Sequence, residues 1–317
     1  MTDDLTTNMT DVPTMNTDDD LTPNVNDVAL ILEGGGMRAS YTAGAVVTLL
    51  EQNLNFADIY GISAGSSHTV NYVSRDKIRT KISFVDLVRD PNFGGMKTFL
   101  TGKGFFNAHY LYEGVAEHPE GIDESFLFDW DTFSANPANV HIEAFDRDST
   151  ETICWTKADM PTARDMMLRV RASSTMPIFM PPVTIGGRTY MDGGLGSSWG
   201  IPLEAAERDG YERFFIVRTQ PRGYRKKPIG SPARTLFKTA FHKHPSVWQR
   251  TLERPARYNE LCDRIEHLER TGAAYVFYPD EMTLTNRTTD YDLLQTAYET
   301  GHAQAQREVE DWQRWLR

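Results

Sequence analysis

The stretch VALILEGGGMRASYTAGAVVTLLEQNLNFADIYGISAGSSHTVNYVS, Val28 to Ser74, limits the fold more than any other part of the chain. A short apolar run, Val28 to Leu32, reads as a buried parallel strand. The glycine triplet Gly34-Gly35-Gly36 follows at once, and Tyr41 to Leu50 has the pattern of an amphipathic helix. Ile59-Tyr60 then leads into Gly61-Ile62-Ser63-Ala64-Gly65, the G-x-S-x-G of a nucleophile elbow, with a helix expected from Ala64 to about Val73. One β-α-β unit thus sets a glycine loop and an exposed serine at the same carboxyl edge of a sheet, where open α/β sheets bind ligands.

The 317 residues, 40% of them hydrophobic, suffice for one large α/β core with an extension, or for two small domains. A net charge of −11 argues against nucleic acid as a partner. The two cysteines, Cys154 and Cys262, suit a reducing compartment. No basic n-region precedes Arg38 and no apolar stretch is long enough to span a bilayer, so a cytoplasmic protein, free or peripheral to the membrane, is expected. Residues 1–27, rich in Thr, Asp and Asn, are expected to be a disordered acidic tail. Aromatics crowd Ile82 to His118 and could wall a pocket or simply pack.

Further along, Val140–Phe145 and Glu151–Trp155 read as a strand pair and Met160–Ser173 as a helix. The prolines of Met176–Val183 enforce extended chain, and Met191-Asp192-Gly193-Gly194 makes a tight turn after a short strand. Arg213–Thr219 is another buried strand. No acidic residue occurs between Glu212 and Glu253, while basic and aromatic residues alternate there. Residues 222–250 are therefore either a face for an anionic membrane or a segment that neutralises acidic neighbours. Tyr258–Thr271 and Tyr291–Leu316 read as helices with the strand Ala274–Tyr278 between them, packed on the core.

Serine becomes a nucleophile only when a base takes its proton, and acyl transfer also needs amides aimed at the oxyanion. Ser63 at an elbow and the glycine loop could supply both parts, with Gly61 and Gly65 leaving room for close strand–helix contact. Arg38 could hold that loop or a phosphate group, or form a surface salt bridge. Gly34-x-Gly36-x-x-Ala39 also resembles a dinucleotide fingerprint, but Asp58 stands at the wrong end of the second strand for it. Only one strand precedes the serine and no histidine sits in a motif, unlike an α/β-hydrolase. Asp192, in its glycine-rich turn, could act on Ser63 directly or be an ordinary turn residue.

In combination, Gly34-Gly35-Gly36-Met37-Arg38, Gly61-Ile62-Ser63-Ala64-Gly65 and Asp192-Gly193-Gly194 resemble the patatin-like phospholipase family. Ala172-Ser173-Ser174-Thr175-Met176-Pro177, before a Pro-Pro-Val, resembles that family's segment ahead of its aspartate. The resemblance implies a three-layer α/β/α sandwich with a mostly parallel central sheet over residues 28–220, and a basic, mainly helical extension over residues 221–317. It implies Ser63 as nucleophile, Asp192 as base, and an oxyanion and substrate site at Gly34, Gly35, Gly36, Met37 and Arg38, chiefly the Gly35 and Gly36 amides. The implied activity is hydrolysis of lipid acyl esters through an acyl-enzyme, without metal or cofactor. Ala39 stands where the family usually has glycine. A catalytically weak lipid-binding or regulatory protein on the same fold is the alternative.

Overall fold

The computed structural model describes residues 21–114 and 126–317. Eight strands form one sheet among the described residues: β1 (Ala29–Leu32), β2 (Asp58–Ile62), β3 (Asn139–Asp146), β4 (Thr152–Trp155), β5 (Val183–Ile185), β6 (Arg188–Asp192), β7 (Phe214–Val217) and β8 (Ala274–Phe277). Their order is β5-β6-β3-β2-β1-β7-β8, with β4 paired to β3. From β3 through β2, β1 and β7 to β8 every pairing is parallel; β4, β5 and β6 add antiparallel pairings at the other side.

The described helices are α1 (Ala39–Glu51), α2 (Ala64–Val73), α3 (Lys77–Ile82), α4 (Met96–Leu100), α5 (Trp130–Ala135), α6 (Ala163–Ser174), α7 (Leu203–Arg208), α8 (Ser231–Ala240), α9 (Pro245–Arg270) and α10 (Tyr291–Leu316). Alternate residues of the central strands serve opposite faces. Leu30, Leu32 and Phe215 join Val70, Val170 and Trp312 in one core, from α2, α6 and α10. Ala29, Ile31 and Ile216 join Leu203, Tyr258 and Ile265 in the other, from α7 and α9. The architecture is the three-layer sandwich, with a helical C-terminal region that also lends β8 to the sheet.

Two expectations need correction. Helix α1 is buried from Ala39 to Leu50 on every side, not amphipathic, because α10 covers its outer face. The crossing is close: a Cβ on Gly44 would lie 2.2 Å from the His302 nitrogen, and one on Gly301 would lie 2.1 Å from the Tyr41 oxygen. The expected disordered tail ran to Asp27, yet Val25 is buried and bridges to Phe56; residues 1–20 lie outside the described residues.

Candidate active site

Strand β2 ends at Ile62 and α2 starts at Ala64, so Ser63 makes the whole change of direction, at φ 56° and ψ −125°. A side chain in that conformation stores roughly 1–3 kcal/mol, which the surroundings must hold in place. The Ser63 N–H donates to Ser173 Oγ at 2.9 Å, and Ser173 Oγ donates to the Glu143 carbonyl at 2.7 Å. Ser66 Oγ donates to the Ser63 carbonyl at 2.6 Å. Helix α2 presses on β1 so tightly that a Cβ on Gly65 would meet the Leu32 oxygen at 2.1 Å.

Asp192 ends β6 opposite Ala144 of β3, one residue along from Glu143, which pairs with Ile62. Strand register thus sets the carboxylate and the serine at the same level of the sheet, with β3 between their strands. Asp192 is buried, its N–H donates to the Thr175 carbonyl at 2.8 Å, and its Oδ1 accepts from the Gly194 N–H at 2.7 Å. Among the described residues the Ser63 hydroxyl makes no hydrogen bond, to Asp192 or to any other group.

The glycine loop touches the serine: a Cβ on Gly34 would come within 3.1 Å of Ser63 Cβ. Two loop amides are taken, Gly34 N–H by the Gly200 carbonyl at 3.0 Å and Met37 N–H by the Asn286 carbonyl at 3.2 Å. The Gly35 and Gly36 amides have no acceptor among the described residues. Gly36 has φ +55° and faces Asn286, whose oxygen a Cβ there would meet at 2.4 Å, so only glycine fits. Beneath the loop Glu33 accepts from Arg218 Nε at 2.8 Å, from the Thr219 N–H at 2.7 Å and from the Tyr258 hydroxyl at 2.6 Å. Burial pushes the Glu33 carboxyl up, but Arg218, Lys226 and these donors hold it below its usual range.

Ser63 opens on a narrow cavity of about 90 Å³. Met37, Val70, Phe84, Phe106, Met167 and Met180 are among its lining residues. The aromatic-rich segment walls it in part: Phe93, Phe106, Leu111 and Tyr112 line it, whereas Phe99 packs on Phe179. Residues 115–118 of that segment lie outside the described residues. His68, nearby on α2, is held between Thr42 and the Ala39 carbonyl, and burial lowers its pKa to about 4.

The ion pairs bear on two alternatives that the sequence leaves open. Arg38 forms no ion pair among the described residues, so the surface salt bridge is not there. Within residues 222–250, Arg222 pairs with Glu269, and Arg225 with Asp263 and Glu266. Those cations neutralise α9 and are not free for an anionic surface. Helix α8 of the same segment is exposed along nearly its whole length. Three positions that sequence reading gave no role, Asn286, Thr219 and Arg254, hold or border the glycine loops, and each reaches them only through tertiary packing.

The patatin-like phospholipase profile matches residues 30–206. The chain belongs to the patatin-like phospholipase family. A second profile, a domain of unknown function designated DUF6363, matches residues 244–317. The chain is 26% identical over 214 residues to the uncharacterized protein YjjU of Escherichia coli strain K12, covering 61% of this chain and 52% of that protein. It therefore spans about half the length of that curated relative. The crystal structure of VipD from Legionella pneumophila aligns with 90% of this chain and 67% of its own, at a TM-score of 0.49 and 14% identity. Among the described residues no helix is long and apolar enough to cross a membrane.

Proposed function

We propose that this chain is a serine acyl hydrolase acting on lipid esters, with Ser63 as nucleophile and Asp192 as its base. The observation that carries the reading is the strained Ser63 opening on an apolar cavity beside two unclaimed amides, those of Gly35 and Gly36. Membership of the patatin-like family supports it.

In this reading Ser63 Oγ attacks the acyl carbon and its proton passes to the Asp192 carboxylate. The Gly35 and Gly36 amides stabilise the oxyanion. The intermediate collapses, the alcohol leaves with the proton from Asp192, and the acyl group stays on Ser63. Water then gives its proton to Asp192 and attacks the ester; the acid leaves and Ser63 regains its proton. A direct Ser63–Asp192 hydrogen bond forms when substrate is bound, as catalytic contacts in empty sites often do. The acyl chain occupies the apolar cavity. Peripheral contact with an anionic membrane rests on exposed α8 and on Lys227, Arg234 and Lys243, rather than on the paired Arg222 and Arg225.

The test is turnover of a series of p-nitrophenyl acyl esters by the wild type, Ser63→Ala and Asp192→Asn. Loss in both variants with the fold retained is expected. A folded wild type with no turnover would favour the lipid-binding alternative.

A further inference from the structure

The cavity at Ser63 is mostly apolar, yet Arg79 stands in its wall, the one charged side chain among its described lining residues. Ser63, Ala64, Ser67 and Val70 line it from one face of α2, so it runs along that helix away from the elbow. Asn71, next to Val70, lies about 12 Å from Ser63 along the helix axis, at about 1.5 Å per residue. Arg79 Nη1 donates to Asn71 Oδ1, which fixes the guanidinium at that far end. Arg79 is only 5% exposed. Its Nε donates to the Phe126 carbonyl at 3.2 Å, and the Phe126 and Phe128 ring centres lie 5.4 and 5.1 Å from its Cζ. Its Nη2 has no acceptor among the described residues. Asp76 caps α3 by accepting from the Arg79 N–H at 2.7 Å and forms no ion pair with the guanidinium.

A guanidinium this buried, held by rings and neutral oxygens in place of a carboxylate, is costly to keep. Burial pushes it down to about 10, against the opposing charge of Asp76. A plain hydrocarbon chain filling the cavity would strip water from Nη2 and offer it no acceptor. We propose that Arg79 makes the cavity selective for acyl chains that end in a second carboxylate, the half-esters of dicarboxylic acids. That carboxylate accepts from the free Nη2 in a charge-assisted hydrogen bond. Phe84, Met167 and Val170 line the space between for the methylenes. The span from Ser63 to Asn71 equals roughly ten bonds of extended chain, at about 3.6 Å for three bonds. Chains near that length set the ester at Ser63 and the carboxylate at Arg79 together. The ester half of this proposal rests on the acyl-hydrolase reading; the carboxylate pocket does not.

The test compares monomethyl with dimethyl esters of dicarboxylic acids from about C6 to C12, a range that brackets the span. Each pair differs only in the far-end charge. One arm measures kcat/KM in the full-length wild type, Arg79→Met and Arg79→Lys; the other measures binding heat in Ser63→Ala, which leaves the esters intact. The expectation is a monoester preference of roughly tenfold or more, the worth of one hydrogen bond to a charged group. It should peak near the length that reaches Arg79, fall to near unity in Arg79→Met and survive in part in Arg79→Lys. A ratio unchanged in folded Arg79→Met would make Arg79 merely structural and overturn the proposal. Should Arg79→Met fail to fold, the wild type alone decides: a preference that is absent, or equal at every length, overturns it. Turnover of both series with no preference, and no selective binding in Ser63→Ala, overturns the proposal and leaves the hydrolase reading standing. Selective binding in Ser63→Ala with no turnover in the wild type supports the pocket and counts against the hydrolase reading.

Discussion

Met37 and Arg38 are neighbours in one turn, yet they serve opposite surroundings. Met37 lines an apolar cavity whose walls come from α2, α6 and the aromatic-rich segment. Arg38 lies instead among Glu33, Tyr258, Tyr224 and Arg254. On the cavity side, any selection would act through shape and length, because apolar contacts are non-directional. On the charged side it acts through hydrogen bonds whose partners are missing or present. The glycine loop borders both, with Met37 on the cavity and Arg38 on the charged side.

The largest expected effect falls at the boundary itself. Asp192→Asn keeps the turn and, on the proposed mechanism, removes the base; ester turnover should then fall by roughly 10³–10⁴-fold in kcat, with little change in cavity-dependent chain-length preference. A shift in that preference would mean that the two sides are not separable.

Next comes stability on the charged side. Glu33→Gln leaves Arg218 buried without its carboxylate and should cost about 3–5 kcal/mol in urea unfolding. The cavity-lining change Met180→Leu should cost less than about 1.5 kcal/mol. Equal costs would contradict the contrast between directional and shape-based packing.

The cavity side has a pH signature of its own. The His68 pKa falls from 6.5 to about 4 in the folded chain, so between those values the unfolded chain binds more protons. Its stability contribution is complete above pH 6.5 and is lost as pH falls towards 4. His68→Gln should flatten that limb by up to about 3 kcal/mol, measured as the difference in urea stability between pH 7 and pH 4. A limb unchanged by the substitution would show that His68 is not held neutral.

The smallest effect expected is on specificity. Val70→Phe narrows the cavity and should lower kcat/KM for the longest esters by roughly tenfold relative to the shortest. A uniform loss across chain lengths would remove the cavity from the acyl path.

Much of this layout was legible in the sequence because local rules dominate there. The elbow helix starts and ends at Ala64 and Val73 as expected, since a strand end, a small-residue turn and an apolar helix stripe are all local signals. The prolines of Met176–Val183 and the Asp192 turn were readable for the same reason. Where distant segments meet, the signal was absent. The enclosure of α1 depends on a glycine-to-glycine crossing with α10, between residues about 250 positions apart. Asn286 reaches Met37 from a loop with no motif, and Arg254 looks like any polar residue on a long helix. The basic segment was visible by composition, but which of its cations are paired depended on α9 carboxylates that only folding brings near.

The most direct measurement is peptide mass spectrometry of the full chain after reaction with a fluorophosphonate probe, with Ser63→Ala as the control. The account predicts a single adduct on the peptide containing Ser63, absent from Ser63→Ala and suppressed by prior incubation with a long-chain ester. An adduct on another residue, or a folded wild type that never reacts, would contradict Ser63 as the nucleophile.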